Sequence, residues 1–326
     1  MQDKKRNHLT ATLLVGAALV LAPVAASAQS YPDRSIEITV PFNPGGGADT
    51  SQRTFNKYAE PLVGQSLVVV NKPGAGGTRG WAEFINATPD GYSLAIETPP
   101  FNIIPALVSP DQTGYKLDQF THICIYAVVP DVLVVREDSD FKTLADLVDY
   151  AKANPKKVKA ANTGTLGADF MTTLLIESKA GVEFTQVPFT GGSQALQGTL
   201  AGTTDIMVAS ALFAVAQKGK MRTLAIASEE RDPSIPDVPT FKELGYDFVS
   251  ERYRALAGPP GLPGEVVEYW ANICEQVTKD EAFREEMAGL GQPPAFRGPD
   301  KAAELIKAMT ADMQALVDEH DLKKAN

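Results

Sequence analysis

The sequence is poor in the residue types that build metal centres and catalytic dyads. It has only three histidines and two cysteines in 326 residues, and they are scattered along the chain. A zinc cluster or a His-rich site needs several such ligands at short spacing. We therefore expect neither a metal site nor a cofactor, and catalysis through histidine or cysteine is disfavoured.

Positive charge is also scarce. The chain carries 30 Lys plus Arg against 40 Asp plus Glu, a net charge of −10, and its one basic cluster is residues 156–159. Nucleic-acid phosphates require a positive surface, so nucleic acid is not an expected partner. Nucleotide motifs fail on spacing, because Arg79 stands where Gly74-x-Gly76 would need a third glycine.

The one long apolar run lies at the N-terminus. Lys4, Lys5 and Arg6 precede a run over residues 11–24, which ends near Ala26-Ser27-Ala28. This is the pattern of a secretory signal peptide, 1–28, and it predicts cleavage after Ala28 and a periplasmic protein. Pro23 interrupts the run, which falls short of the roughly 20 residues of a membrane span, so no stable membrane insertion is expected.

Export changes how the two cysteines are interpreted. An oxidising compartment allows Cys124 and Cys274 to persist as a disulfide. Two free buried thiols are the alternative, and the sequence leaves both open.

Short β-rich runs alternate with helical stretches along the rest of the chain. This order is typical of an α/β fold with parallel sheets covered by helices. The tail after residue 263 predicts three helices without strands. The predicted strands are Ile36–Val40, Leu67–Val70, Tyr92–Ile96, Leu133–Val135, Val158–Ala161, Ile206–Val208 and Leu224–Ala227.

The chain has two candidate crossings between lobes, at Cys124–Pro130 and Phe248–Gly258. Two crossings form a hinge of the kind that lets a clamshell close on a ligand. We therefore predict a two-lobed clamshell of the periplasmic binding protein type, each lobe a mostly parallel sheet flanked by helices. The first lobe would comprise 29–127 plus 250–326 and the second 128–249, in a monomer.

Four glycine-rich turns follow predicted strands, two in each lobe. Glycines let the backbone approach a ligand, and the free amides of the following helix attract an anion. Crevices at the carboxyl ends of strands are where open α/β sheets bind ligands. We predict a carboxylate site there. Its candidate residues are Phe42, Pro44, Gly45, Gly46, Gly76, Gly77, Thr78, Thr163, Gly164, Thr165, Thr190, Gly191 and Ser193.

Four charged residues join this set, each with a structural alternative. Asp49 and Asp205 either stabilise a helix start or a turn, or orient a cradle loop or hold a ligand's ammonium group. Arg252 and Arg254 flank Tyr253 on a predicted hinge strand. We expect one arginine to face the cleft, where it would pair with a second carboxylate, and the other to face solvent. A surface ion pair is the alternative for either.

Several motifs together resemble one family. They are Pro41-Phe42-x-Pro44-Gly45-Gly46-x-x-Asp49, Val70-Asn71-Lys72-Pro73-Gly74-Ala75-Gly76-Gly77 and Pro89-Asp90-Gly91-Tyr92. The chain is similar to the periplasmic solute-binding subunits of tripartite tricarboxylate transporters, called Bug proteins. The resemblance implies a clamshell that binds small organic acids through backbone amides and ordered waters and delivers them to a membrane permease.

The resemblance also implies roles for particular turns. The loops at Phe42–Asp49 and Gly74–Thr78 would hold one carboxylate, and those at Thr163–Thr165 and Thr190–Ser193 would complete the pocket. One departure concerns Asp169, which stands where members often carry histidine. It would either favour a ligand with an amine at its distal end or serve as the first-turn acid of its helix.

The resulting prediction is a non-enzymatic binding protein for a di- or tricarboxylate. A secreted serine hydrolase is the rival, because Gly191-Gly192-Ser193-Gln194-Ala195 matches all but the last position of a G-x-S-x-G elbow. A component that presents its ligand to a sensor is a third reading. Acidic amino acids and aromatic carboxylates also stay open as ligands.

Overall fold

The computed structural model describes residues 31–163, 167–189 and 192–323. The predicted signal peptide and its cleavage site lie outside these ranges, so they stay predictions. Within these ranges, no helix combines the length and the apolar character that a membrane crossing requires.

Strands and helices alternate along the chain, as the hydrophobic pattern predicts. Thr143 caps the N-terminus of α5, because its hydroxyl accepts the Asp146 N–H while the Asp146 carboxylate accepts the Thr143 N–H. The strands are β1 (Ile36–Val40), β2 (Leu67–Asn71), β3 (Ser93–Glu97), β4 (Thr121–Arg136), β5 (Lys159–Thr163), β6 (Thr185–Phe189), β7 (Ile206–Ser210), β8 (Met221–Ile226), β9 (Glu251–Gly258) and β10 (Pro294–Arg297). The helices are α1 (Gly47–Val63), α2 (Thr78–Phe84), α3 (Ile103–Val108), α4 (Pro110–Thr113), α5 (Leu144–Ala153), α6 (Ala168–Ala180), α7 (Gly192–Leu200), α8 (Ala211–Ala216), α9 (Gly264–Lys279), α10 (Glu281–Gly289) and α11 (Pro299–Glu319).

The strands form one continuous mixed sheet in two halves. In the first half-sheet, β1 pairs in parallel with β2 and β3, and β9 runs antiparallel to β3 and β4. In the second half-sheet, β5 pairs in parallel with β6 and β7, and β4 runs antiparallel to β7 and β8. The α/β periplasmic binding protein fold is confirmed, with its parallel strands at the outside of each half and antiparallel pairs at the centre.

A single strand, β4, belongs to both halves. It pairs with β9 over Thr121–Pro130 and then with β7 over Asp131–Val135. Pro130 lies where the partner changes, and a proline interrupts sheet pairing because it has no N–H to donate. The two predicted crossings therefore correspond to β4 and β9, adjacent antiparallel strands. The lobe boundaries at 127/128 and 249/250 stay a prediction.

The tail differs from its prediction, because it contains a strand. After α9 and α10, residues Pro294–Arg297 form β10, which pairs with β4 in the first half-sheet. The tail also returns to the opening segment, where the Trp270 indole donates to the Tyr31 hydroxyl at 2.6 Å. A four-residue strand that begins with a proline has too little pattern to be seen in the sequence.

The first half-sheet packs its main core against α1, α9 and α10. Phe55, Trp270 and Phe283 are fully buried there. The disulfide between Cys124 of β4 and Cys274 of α9 lies within this core. A second core in the other half-sheet packs α5 and α6 against β4, β5 and β7. Each half is thus built around its own apolar core.

Candidate ligand-binding site

Three loops follow the carboxyl ends of β1, β2 and β3. Loop 1 is residues 41–46, loop 2 is 72–77 and loop 3 is 98–102. Because β2 and β3 both pair in parallel with β1, all three loops emerge at one edge of the first half-sheet. Such an edge is the usual ligand position in open α/β sheets.

Asp49 holds loop 1 against the end of β2. Its buried carboxylate accepts the Gly45 N–H at 2.8 Å, the Arg53 Nε–H at 3.0 Å and the Asn71 side-chain amide at 2.9 Å. Burial on its own would raise the pKa of Asp49, but these donors outweigh it and hold the pKa below its usual value. Asp49 therefore orients the cradle loop from within.

Loop 1 provides no side-chain cap for the N-terminus of α1. The Gly45 amide is bonded to Asp49, and the Gly46 amide points to the Asn43 carbonyl at 3.3 Å. Gly46 caps α1 without contributing a side chain, and Pro44 is exposed beside it. The first-turn amides of a helix have no intrahelical partner, so the N-terminus of α1 provides anion-attracting donors.

Loop 2 packs its backbone directly on an aromatic cluster. Gly77 has φ 103°, and a Cβ atom there would come within 2.7 Å of the Trp81 ring and 3.2 Å of the Phe42 ring. Only glycine fits this close approach. Gly76 also adopts a positive φ of 66°, and Thr78 begins α2.

Loop 3 was not singled out in the sequence. Phe101 packs edge-to-face on Phe42, with ring centroids 6.0 Å apart, so loop 3 and loop 1 meet through the aromatic cluster. The Thr98 hydroxyl and the side-chain oxygen Oδ1 of Asn102 are buried and have no hydrogen-bond partner within the described ranges. The available signal was Pro99-Pro100 directly after a predicted strand, because prolines mark a loop.

A half-buried histidine supports loop 3 from behind. His122 Nδ1 lies 2.8 Å from one Glu97 oxygen, and the Asn102 side-chain amide donates to the other at 2.7 Å. Burial lowers the pKa of His122, but the Glu97 carboxylate more than offsets this and raises it above the usual value. His122 therefore belongs to the scaffold of the site.

The expectation that Arg252 and Arg254 face opposite sides was wrong. Both are buried, because residues two apart on a strand share a face while Tyr253 points the other way. The Arg252 Nε–H donates to Asp131, and its guanidinium carbon lies 5.3 Å from the centre of the Phe101 ring. Its Nη2 is buried without a hydrogen-bond partner in the part of the chain described.

Asp131 connects both crossing strands to α6. Its carboxylate accepts the Arg252 guanidinium, the Thr172 hydroxyl at 2.6 Å and the Ser250 hydroxyl at 3.1 Å. Burial raises the pKa of Asp131 even though Arg252 and Thr172 oppose it. The point where β4 changes partner therefore carries a buried ion pair.

Arg254 lies behind the start of α1. Its Nε–H donates to the Gln292 carbonyl at 2.9 Å, and the Gln292 amide donates to the Gly47 carbonyl at 3.2 Å. Burial lowers the pKa of Arg254 to about 10. The groups that form hydrogen bonds with Arg254 at this position are neutral.

The second half-sheet contributes the ends of β5 and the starts of α6 and α7. Asn162 donates to Gln186 at 2.6 Å, and its carbonyl oxygen is buried without a partner among the described residues. Asp169 is buried in the first turn of α6, close enough to raise the pKa of Asp131. Ser193 is exposed in the first turn of α7. Gly164, Thr165, Thr190, Gly191 and the Thr163 side chain lie outside the described residues.

Asp205 does not lie near these loops. It is exposed at the amino end of β7, where its carboxylate accepts the Lys159 N–H at 2.8 Å and its own amide donates to the Lys159 carbonyl. β5 and β7 are parallel, so Lys159 and Asp205 mark the edge opposite to Asn162 and Ser210. We therefore assign Asp205 the turn-closing role and leave it out of the site.

Comparisons with known proteins agree with this architecture. The family model described as the tripartite tricarboxylate transporter family receptor matches residues 52–322. Protein BugT of Bordetella pertussis is 29% identical over 298 residues, covering 90% of this chain and 91% of BugT. A solved periplasmic transporter is 28% identical with a TM-score of 0.83, over 90% of this chain and 99% of that one.

A further solved relative carries a ligand. MatC from Rhodopseudomonas palustris, determined with bound malate, is 28% identical with a TM-score of 0.78, over 88% of this chain and all of MatC. The family and its structural neighbours are solute-binding proteins, so the hydrolase reading of Ser193 is not supported. The chain therefore belongs to the receptor family of tripartite tricarboxylate transporters and is a solute-binding protein, not an enzyme.

Proposed function

We propose that this protein captures a small di- or tricarboxylate between its two half-sheets in the periplasm and delivers it to the permease of a tripartite transporter. The observation that carries the proposal is a set of buried polar atoms without partners in the described ranges. Arg252 Nη2 and the Thr98 hydroxyl lie on the first half-sheet side, and the Asn162 carbonyl oxygen lies on the second. Buried polar atoms are seldom left unpaired, so these atoms would serve as hydrogen-bond partners of a ligand or of its waters.

The chemistry of the donors favours a carboxylate. The start of α1 offers backbone amides, Arg252 offers a guanidinium N–H, and Arg254 adds a second buried positive charge. Amides and a guanidinium match carboxylate oxygens in geometry and charge. A polyphosphate would need more cations than the described site residues supply.

The comparisons support the same ligand class and route. MatC holds malate, a small dicarboxylate, and is similar over its whole length. The family model describes a receptor of a tripartite transporter, which implies a membrane partner for the loaded protein. The signal-peptide pattern supports a periplasmic location, and the transfer would then occur at the periplasmic side of the inner membrane.

The test is ligand-dependent thermal unfolding of the chain from Gln29 onward. The protein is refolded first to remove any ligand carried through purification. It is then heated with malate, succinate, adipate, citrate or glutamate, and with lactate as a monocarboxylate control. A ligand at 100 times its Kd should add about 2.7 kcal/mol, a shift of several degrees.

A shift with a di- or tricarboxylate and none with lactate is the expected result. No shift with any acid, together with no small molecule released from the purified protein in mass spectrometry, would overturn the binding proposal. Delivery is tested separately, by uptake of the identified acid in cells that carry the permease with or without this protein. Equal uptake in both would reject the transport role and leave binding intact.

A further inference from the structure

Arg254 is a buried cation without an anionic partner. It is 6% exposed, and its described hydrogen bonds go to the Gln292 side chain and the Tyr253 carbonyl. No carboxylate of residues 31–163, 167–189 or 192–323 forms an ion pair with it. Burying a charge without a counter-charge is costly, and an apolar side chain of similar volume would avoid that cost. The buried charge of Arg254 therefore indicates a functional role.

The neighbouring charges do not neutralise it. Asp131 is bonded to Arg252, and Asp49 is bonded to Arg53. Burial lowers the pKa of Arg254, Tyr126 and Asp131 raise it, and Arg252 lowers it. Arg254 itself has no ion-pair partner among the described residues.

The position of this charge is set by Gln292. Arg254 donates to the Gln292 carbonyl, and the Gln292 amide donates to the carbonyl of Gly47, the first residue of α1. Gln292 is fully buried, so the guanidinium is held one side chain behind the helix start. The positive end of the helix dipole and the Arg254 charge then act on the same point.

We propose that Arg254 sets the affinity of the α1 start for an anionic ligand group without touching the ligand, with Gln292 as the fixed spacer. The ligand itself supplies the negative charge that the protein lacks at this place. This inference rests on the function proposed above and adds a residue through which ligand charge is selected. Arg252 and Arg254 lie on one face of β9 but have different roles. Arg252 is ion-paired with Asp131, whereas Arg254 has no ion-pair partner among the described residues.

The test is the Arg254→Met variant, titrated with malate, succinate and adipate and with the monoamide of each. The Arg254 charge is separated from the ligand by about two hydrogen-bonded groups. Its loss should weaken diacid binding roughly 10-fold or more. The monoamides carry one charge fewer, so they should lose less affinity, whereas distortion of the site would weaken the binding of diacids and monoamides alike.

Two control variants accompany this test. Arg254→Lys, which keeps the charge, should restore most of the affinity. Arg222→Met, in the second half-sheet, is the matched control and should bind as the wild type.

A second variant covers the case in which Arg254→Met does not fold. Gln292→Glu keeps the shape of the spacer and places a carboxylate beside Arg254, so it should weaken diacid binding although Arg254 is still present. If the wild type binds a diacid and both variants bind it with affinities within twofold of the wild type's, the inference is overturned and the proposed function stands. Absence of binding in the wild type itself would overturn the proposed function, and this inference with it.

Discussion

At the scale of single residues, the site combines side chains that are fully paired with others that are not. Asp49 has three described donors and fixes the shape of loop 1, while the Thr98 hydroxyl, equally buried, has no partner in the described ranges. Paired groups stabilise the empty protein, and unpaired ones cost stability until a ligand arrives. The two kinds should therefore respond differently to substitution.

Thr98→Val tests this distinction. It removes an unpaired hydroxyl and keeps the side chain's volume, so the empty protein should be as stable as the wild type or slightly more stable. Ligand affinity should fall about 5- to 10-fold if the hydroxyl bonds the ligand, since one hydrogen bond contributes about 1 kcal/mol. Thermal unfolding and titration calorimetry measure the two effects.

Thr310→Val is the matched control for Thr98→Val. The Thr310 hydroxyl donates to the Ile306 carbonyl at 2.7 Å within α11, outside the three loops. This variant should leave affinity unchanged. Wild-type affinity in Thr98→Val would show that the hydroxyl does not contact the ligand.

At the scale of elements, the crossing strands are held together by buried charge as well as by backbone pairing. Asp131 on β4 and Arg252 on β9 form the ion pair at the place where β4 changes partner. Sequence patterning found this region as two separate pieces, Cys124–Pro130 and Leu133–Val135. The pieces are one strand because β9 and β7 pair with β4 in succession, and such non-local pairing leaves no mark on local periodicity.

Asp131→Asn should be strongly destabilising. It leaves Arg252 buried without its counter-charge, which costs about 3 to 5 kcal/mol. Glu137→Gln removes the partner of Arg222 in a more exposed pair, which should cost less than about 1 kcal/mol. Urea unfolding of both variants measures the contrast, and similar losses in the two would contradict it.

His122 predicts a pH dependence of the first half-sheet. Its folded-state pKa lies above the unfolded value, so the His122–Glu97 contact contributes stability that is fully present below about pH 6.5. This contribution is lost as pH rises through the higher folded-state value. The stability difference between wild type and His122→Gln should therefore shrink between pH 5.5 and pH 8.5.

The measurement for His122 is the free energy of unfolding in urea at several pH values in that range. The two proteins differ only at position 122, so the difference between their free energies of unfolding reports on that side chain. A difference that stays constant, or that grows with pH, would show that the Glu97 contact does not favour the charged imidazole in the folded protein.

At the scale of the whole molecule, the disulfide and the returning tail tie distant parts of the chain to one half-sheet. Cys124 and Cys274 are 150 residues apart, and the entire second half-sheet lies between them in sequence. Closing a loop of that length removes entropy from the unfolded chain worth about 5 kcal/mol. The covalent link therefore stabilises the first half-sheet around an inserted second half.

Replacing both cysteines with alanine should lower the free energy of unfolding by several kcal/mol, with 5 kcal/mol as the upper range. A reductant should destabilise the wild type and have no effect on the double variant, which is the control. Alkylation of two thiols in protein isolated under oxidising conditions would contradict the disulfide.

The sequence by itself determined the fold class, the alternation of strands and helices, the family and two of the three loops of the candidate site. These follow from local signals: apolar periodicity, glycine and proline at turns, and motifs such as Pro41 to Asp49. The tertiary structure alone decided three further features. It placed loop 3 beside loop 1, paired Arg252 with Asp131, and gave Arg254 a neutral partner, Gln292, with no ion pair among the described residues. Each depends on which elements become neighbours across dozens of residues or more, up to 121 between Asp131 and Arg252, and local patterns carry no information on that.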